Sequence, residues 1–153
     1  MNIKLKIEPE IYQKLIDFYG DLFNLSPLSA KIYAYFIFDF EKNGLTFDDL
    51  VDTFCASKSS VSSSVNFLLN ANLIKTINKI DERKRYFIIN NDFVKIRFEE
   101  IANRMKQEIK ILDQLNKFKA EQLADGNLSE RYYIYKSLLE KNIDNIEDTL
   151  QKL

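Results

Sequence analysis

Two short stretches of this chain carry the side chains that could act on another molecule. The first, Ser57-Lys-Ser-Ser-Val-Ser-Ser-Ser-Val-Asn66, crowds small hydroxyls around one cation and one amide. The second, Asp81-Glu-Arg-Lys-Arg85, holds three cations in five residues. Neither set contains a nucleophile beside a base, so the chemistry on offer is recognition of an anion by hydrogen bonds and charge. On a helical wheel Ser59, Ser63, Asn66, Phe67 and Asn70 lie opposite Val61, Val65, Leu68 and Leu69, with Ser60 and Ser62 on the flanks. Short hydroxyls let a helix approach a groove floor, and an Asn can make two bonds to an adenine edge. Ser57, Lys58 and the N–H groups of a first helical turn suit a phosphate. In the second stretch, Arg83 has the reach and charge for a narrow A·T-rich minor groove. Asp81, two residues earlier, is placed to orient its guanidinium through a charge-assisted pair. Lys79, Lys84 and Arg85 then serve flanking phosphates.

Other chemistries fall with the counts. Among 153 residues there is no His, one Cys and only 3 Gly. That excludes Ser-His-Asp and Cys-His catalysis, the usual His ligands of zinc and an intrachain disulfide. Glycine-rich nucleotide loops are missing as well. The sequence therefore points to a non-enzyme with no metal site and no cofactor. The longest apolar run, Ile32 to Phe38, is too short to span a bilayer, and the first residues lack a signal-peptide pattern. The expectation is a cytoplasmic chain with no membrane partner.

The net charge of −1 hides an uneven distribution. Residues 1–55 carry five bases and nine acids, and residues 98–153 carry nine bases and eleven acids. The middle, 56–97, carries eight bases and three acids. A basic centre between acidic flanks suits one surface that meets a polyanion.

Helices must position these residues, since the chain has few turn formers. Pro9 opens a first helix whose Ile11, Leu15, Phe18 and Leu22 share a face. Ser26-Pro27 starts a second, apolar almost all round from Leu28 to Phe40, which should run to about Glu41 as the central buried helix. Asn43-Gly44 is a turn. Thr46-Phe-Asp-Asp49 opens a short third helix with Leu50, Val51 and Phe54 inward, and Ser57 caps a fourth reaching about Asn70. Asn72 suits a left-handed helix end. Leu73–Ile80 and Arg85–Asn90 read as strands of a hairpin with a charged tip. A helical stripe of Val94, Phe98, Ile101, Met105, Ile109, Leu112 and Leu115 follows. Asp125-Gly126-Asn127 breaks it, and Ser129 caps a last helix with a seam of Leu139, Ile143, Ile146, Leu150 and Leu153.

A helix-turn-helix followed by a basic hairpin is a winged helix. Leu28-Ser-Ala-Lys-Ile-Tyr-Ala-Tyr, Leu45-Thr-Phe-Asp-Asp-Leu, Ser57-Lys-Ser-Ser-Val-Ser-Ser-Ser-Val-Asn and Asp81-Glu-Arg-Lys-Arg-Tyr-Phe together resemble the DNA-binding domain of MarR-type regulators, most of all the GbsR-like branch. The resemblance covers Leu28 to Phe98. It departs from the family pattern at Ser63, Asn72 and Thr76, where many relatives have a basic residue, Gly and Arg. It implies a homodimer on double-stranded DNA, usually a repressor, with helices at both ends building the dimer and a small molecule as modulator. The Asp-x-Arg of such wings maps onto Asp81 and Arg83.

The expected fold class is mainly α with a small β-hairpin wing. The expected division is an N-terminal dimerisation helix (1–25), a winged helix-turn-helix (26–92) and a C-terminal dimerisation region (93–153). The competing function is a winged helix that binds a protein instead of DNA. The aromatic residues Tyr33, Tyr35, Phe36, Phe38, Tyr132, Tyr133 and Tyr135 read as core or interface ahead of a cation box for the choline-type ligands associated with GbsR-like relatives. Cys55 reads as buried ahead of redox-active. The final seam needs a cover, from the first helix of the same subunit or from a second subunit.

Overall fold

The apolar segment after Ser26 is the centre on which the first half of the chain is built. In a computed structural model, which describes residues 5–123 and 129–153, helix α2 spans Pro27–Ile37. The Ser26 hydroxyl accepts from the Ser29 N–H, and Pro27 fills the first turn. Ile32, Tyr33, Ala34 and Phe36 are sealed from solvent. The helix stops four residues short of the expected Glu41. The cause is Asp39, whose carboxylate accepts from the backbone N–H groups of Asn43 (3.1 Å) and Gly44 (2.9 Å). That capture turns the chain, and Phe40, expected inward, is left 78% exposed.

Helix α1 (Pro9–Leu22) packs on α2. The Glu8 carboxylate accepts from the Glu10 and Ile11 N–H groups at its start. The packing face is not the stripe of Ile11, Leu15, Phe18 and Leu22, of which Ile11, Phe18 and Leu22 remain exposed. It is a row of rings: Tyr19 and Phe23 meet Tyr33 edge-on at 5.3 and 5.9 Å, and Tyr12 meets Phe38 at 6.1 Å. Aromatic quadrupoles favour such edge contacts. The Tyr12 hydroxyl donates to the Lys31 carbonyl, and burial with the neighbouring Tyr35 pushes its pKa up to about 12.

Helix α3 (Phe47–Phe54) starts with a reciprocal cap. The Asp49 N–H donates to the Thr46 hydroxyl, and the Thr46 N–H donates to the Asp49 carboxylate. It ends at Cys55 in the left-handed conformation, φ 48°. Cys55 is exposed, contrary to the expected burial, because the tight link to the next helix runs over the surface. Helix α4 spans Lys58–Asn70. Strands β1 (Leu45–Thr46), β2 (Ile74–Asn78) and β3 (Arg85–Ile89) form an antiparallel sheet in the order β1-β3-β2. Tyr86 pairs with Ile77 on one side and Thr46 on the other. Two-residue β1 was not foreseen, since it is too short to show alternation. Asn72 takes the expected left-handed conformation.

These elements form one compact unit, Met1–Asn91, so α1 belongs with the winged helix-turn-helix. A second unit, Asp92–Leu153, holds α5 (Phe93–Gln122) and α6 (Glu130–Leu150). Ion pairs of Lys106 with Glu147 and of Lys136 with Asp113 fix them as an antiparallel hairpin. Part of the C-terminal seam packs on α5 of the same chain, a cover not weighed from the sequence. Leu139 and Ile143 are buried, Ile146 and Leu150 half-buried, and Leu153 is exposed. Leu115, expected on the inward stripe of α5, is exposed with Ile111 and Phe118. Ser129 occupies the N-cap position without a side-chain cap bond. The expected turn at Asp125-Gly126-Asn127 lies outside the described residues. No helix among the described residues is long and apolar enough to cross a membrane.

Asp39→Ala should cost roughly 1–3 kcal/mol, since two N–H groups lose a buried acceptor, whereas Phe40→Ser should stay within about 0.5 kcal/mol; urea unfolding compares them. In the second unit, hydrogen bonds from Tyr132 and Lys136 hold the Asp113 carboxyl below its ordinary pKa of 3.8. Its contribution to stability is therefore full above that ordinary value and is lost as pH falls through the lowered one. Asp113→Asn should flatten the acid limb of helix loss followed by circular dichroism.

Candidate nucleic-acid interface

Helix α4 is rich in serine, a poor helix former, so its persistence rests on its caps and its buried face. The Ser57 hydroxyl accepts from the Ser60 N–H at 3.1 Å and lies 2.8 Å from the Ser60 hydroxyl. Both hydroxyls are thus engaged in starting the helix. The Lys58 and Ser59 N–H groups at this first turn have no acceptor within the helix. Val61, Val65 and Leu68 are buried as expected; Ser64 is buried too, and Leu69 only half-buried. Ser59, Ser60, Ser63 and Asn66 are exposed, and Ser62 is half-buried. Phe67 stays 46% exposed.

The wing is a hairpin whose tip runs from Lys79 to Lys84. Asp81 sits in it with φ 65°. Among the described residues no ion pair joins Asp81 to Arg83, so the expected support is not formed in the unliganded chain. Both residues are exposed, where water competes for each charge and such a pair gains little. The tip is organised by Tyr86 instead. Its hydroxyl donates to the Glu82 carboxylate, and the Lys79 ammonium lies over its ring, 3.9 Å from the centroid. The hydrogen bond to Glu82 raises the Tyr86 pKa. Lys79, grouped with the phosphate contacts on sequence grounds, is occupied by this ring. The Arg85 guanidinium lies 5.1 Å from the Phe87 centroid.

Between α4 and the wing runs an open groove of about 400 Å³. Ser62 and Asn66 line it from α4, Lys84 and Arg85 from the wing, and Phe47 and Phe87 add apolar surface. Asp48 of α3 stands at the same groove, so the two cations there face one carboxylate. The structure thus brings four of the candidate residues together. Ser57, Lys58, Ser59, Ser60, Ser63, Lys79, Asp81 and Arg83 lie outside this lining. What sequence reading missed are Tyr86 and Glu82. They lie four residues apart on one side of the bend, and a strand tyrosine beside a charged tip carries no signal of that contact.

Tyr33, Tyr35, Phe36 and Phe38 are buried in the first unit, while Tyr132, Tyr133 and Tyr135 belong to the second. Tyr132 and Tyr135 donate to the Asp113 and Glu108 carboxylates of α5, and each bond raises the tyrosine pKa.

Neither a family model nor a curated protein matches the chain. Among solved structures it is similar to a crystal structure described as that of a transcriptional regulator, with a TM-score of 0.52 at 17% identity over 94% of this chain and 95% of that one. It is also similar to Staphylococcus aureus MepR in complex with DNA, with a TM-score of 0.45 at 17% identity over 75% of this chain and 94% of that one. For the transcriptional regulator BldR of Sulfolobus solfataricus the TM-score is 0.41 at 18% identity, over 74% and 86%. The fold is a winged helix, shared with the first of these structures: six helices among the described residues with a small three-stranded antiparallel sheet.

Ser57→Ala should destabilise the chain by about 1 kcal/mol through the lost cap. Ser63→Ala, on the exposed face, should be neutral or slightly stabilising, because Ala is the better helix former. Equal effects in urea would show that Ser57 does not cap α4.

Proposed function

We propose that this chain is a dimeric, sequence-specific DNA-binding transcriptional regulator of MarR type, acting as a repressor and catalysing no reaction. The observation that carries the reading is the groove in which Ser62 and Asn66 of α4 meet Lys84 and Arg85 of the wing. Hydrogen-bonding groups that can discriminate base edges and cations that can hold phosphates converge on one concave surface. The excess of bases over residues 56–97 supports it, as does a fold shared with a protein described as a transcriptional regulator. In this reading α4 enters the major groove and reads bases through Asn66 and Ser63. Ser57, Lys58, Ser59, Ser60 and Ser62 approach the backbone, Arg83 enters the flanking minor groove, and Lys84 and Arg85 hold phosphates. The GbsR-like branch rests on the quoted motif residues, and modulation by a small molecule rests on the resemblance alone.

Dimerisation belongs to the proposal. Leu139 and Ile143 are already covered, so the dimer must use what remains in water. On α1 those are Ile11, Phe18 and Leu22; on the hairpin they include Ile111, Leu115, Phe118, Ile134 and Leu138. Large apolar side chains clustered in water mark interaction surfaces. A two-fold pair would set two α4 helices about one DNA turn apart on a near-palindromic site.

Selection of bound duplexes from a random pool, followed by affinity against salt concentration, tests the function. Affinity should fall steeply with salt as phosphate contacts release counterions. Arg83→Ala should relax preference at A·T positions flanking the half-site, and Lys84→Ala should reduce the salt slope by about one per contacted phosphate. Asn66→Ala should alter the preferred base at one position per half-site, a discrimination of roughly 1–3 kcal/mol. No salt-dependent binding to any duplex would turn the reading to a protein-binding winged helix. Separately, Leu115→Asp combined with Ile134→Asp should yield monomers by light scattering with far weaker DNA binding; a monomeric wild type at tens of micromolar would remove the dimer.

A further inference from the structure

The wing tip is a short, highly charged excursion with five charged residues between Asp81 and Arg85, and nothing in its own sequence makes it rigid. One side chain contacts a residue on each side of its bend. Tyr86 donates from its hydroxyl to Glu82 and places its ring 3.9 Å from the Lys79 ammonium. Those two residues bracket the bend at Asp81, which takes the left-handed conformation at φ 65°. Tyr86 is itself fixed between two strands, opposite Ile77 of β2 and Thr46 of β1. Its seat is cut by Gly44. A Cβ added there would come within 2.9 Å of the Tyr86 Cβ, and Gly44 has φ +85°, which only glycine adopts without strain.

We propose that Tyr86 is the positioning residue of the wing: its ring and hydroxyl clasp Lys79 and Glu82, and this clasp presents Arg83 and Lys84 to a nucleic-acid backbone. The proposal rests on the DNA-binding reading for its consequence, but not for the clasp itself. The physical case is entropy. A tip that must be ordered on binding spends part of each contact on that ordering, whereas a tip held beforehand does not. Lys79 then contributes through the ring beneath it, with its charge still near the tip, and Glu82 is an anchor although its carboxylate would repel a phosphate if it were free. Such a carboxylate in a DNA-facing loop otherwise works against binding.

Two readouts separate the clasp from its consequence. The first needs no DNA: tryptic cleavage within the tip, at Lys79, Arg83, Lys84 and Arg85, on the full chain under native conditions. Tyr86→Phe keeps the ring and loses the bond to Glu82, while Glu82→Gln keeps an acceptor. Cleavage should rise several-fold in Tyr86→Phe, rise further in Tyr86→Leu, and stay near wild type in Glu82→Gln. The second is affinity for a selected duplex with Arg83→Ala as partner in a double-mutant cycle. Tyr86→Leu should weaken binding about as much as Arg83→Ala, and the double variant should lose little more, since both act through one tip. Gly44→Ala, which displaces Tyr86 without altering it, should reproduce the faster cleavage. Equal cleavage in wild type and Tyr86→Phe, both folded by circular dichroism, overturns the clasp. Faster cleavage with full additivity on DNA overturns the positioning role. If the wild type binds no duplex, the function proposed above has failed, while the cleavage series still decides the clasp.

Discussion

The first unit depends on the capture of two backbone N–H groups by one carboxylate. Asp39 is 7% exposed, and its oxygens accept from Asn43 and Gly44. Burying a carboxylate is costly unless its oxygens are satisfied, and these two bonds do that. The turn they enforce has three consequences at once. It ends α2, and it delivers Leu45 and Thr46 to the edge of β3, where they pair with Phe87 and Tyr86. It also sets Gly44 at φ +85° beside the Tyr86 Cβ. Thr46 then caps α3 from the end of that same strand. The helix-turn-helix and the wing are thus referenced to one another through residues 39–46, which is how two separate stretches of sequence come to line one groove.

Much of the element order was legible because it is written in local chemistry. Ser26-Pro27, Thr46 with Asp49, and Ser57 are caps, and capping needs only residues within one turn of each other. The hairpin was legible from its two apolar runs and charged tip. The failures have a different cause, since each turns on which partner a side chain takes, and periodicity does not record that. The end of α2 lies with Asp39, an acid that on a wheel looks like any solvated side chain. The packing face of α1 is not the one that periodicity marks: Ile11, Leu15, Phe18 and Leu22 form the cleaner stripe, while Tyr12, Tyr19 and Phe23 make the contacts. Periodicity cannot say which of two apolar faces meets its own chain. The terminal seam reads as one that needs a cover, and α5, which the sequence did not suggest for that role, buries Leu139 and Ile143 of it.

The candidate site divides along the same line. Ser62, Asn66, Lys84 and Arg85 were foreseen and are brought together. The tip was foreseen as cationic, but its internal order was not. The sequence suggested a pair between Asp81 and Arg83 because they are two residues apart. The structure engages Glu82 instead, four residues before the strand residue Tyr86 whose hydroxyl reaches it. A close sequence neighbour in a turn is free to point elsewhere, while a side chain anchored in a strand has its direction set by the sheet.

Helix α4 shows how a buried face can carry a helix whose exposed face is made of poor helix formers. Its serines favour caps and turns over helix interiors, so as an isolated peptide this segment would be largely unfolded. In the chain, Val61, Val65 and Leu68 are nearly inaccessible and Ser64 is 5% exposed. Each fully buried Val or Leu contributes about 1.5–3 kcal/mol, whereas each Ser in place of Ala costs only about 0.5 kcal/mol. The buried face therefore decides that the segment is helical, and the exposed face is left free of that duty. The residues at 59, 63 and 66 can then be chosen for what they touch outside the protein. Small hydroxyls at these positions keep the helix surface low, so that a groove wall can approach the backbone. An Ala-rich helix would be more stable and would offer no hydrogen bonds there, which is why the serine content of α4 makes physical sense as a property of its surface and not of its fold.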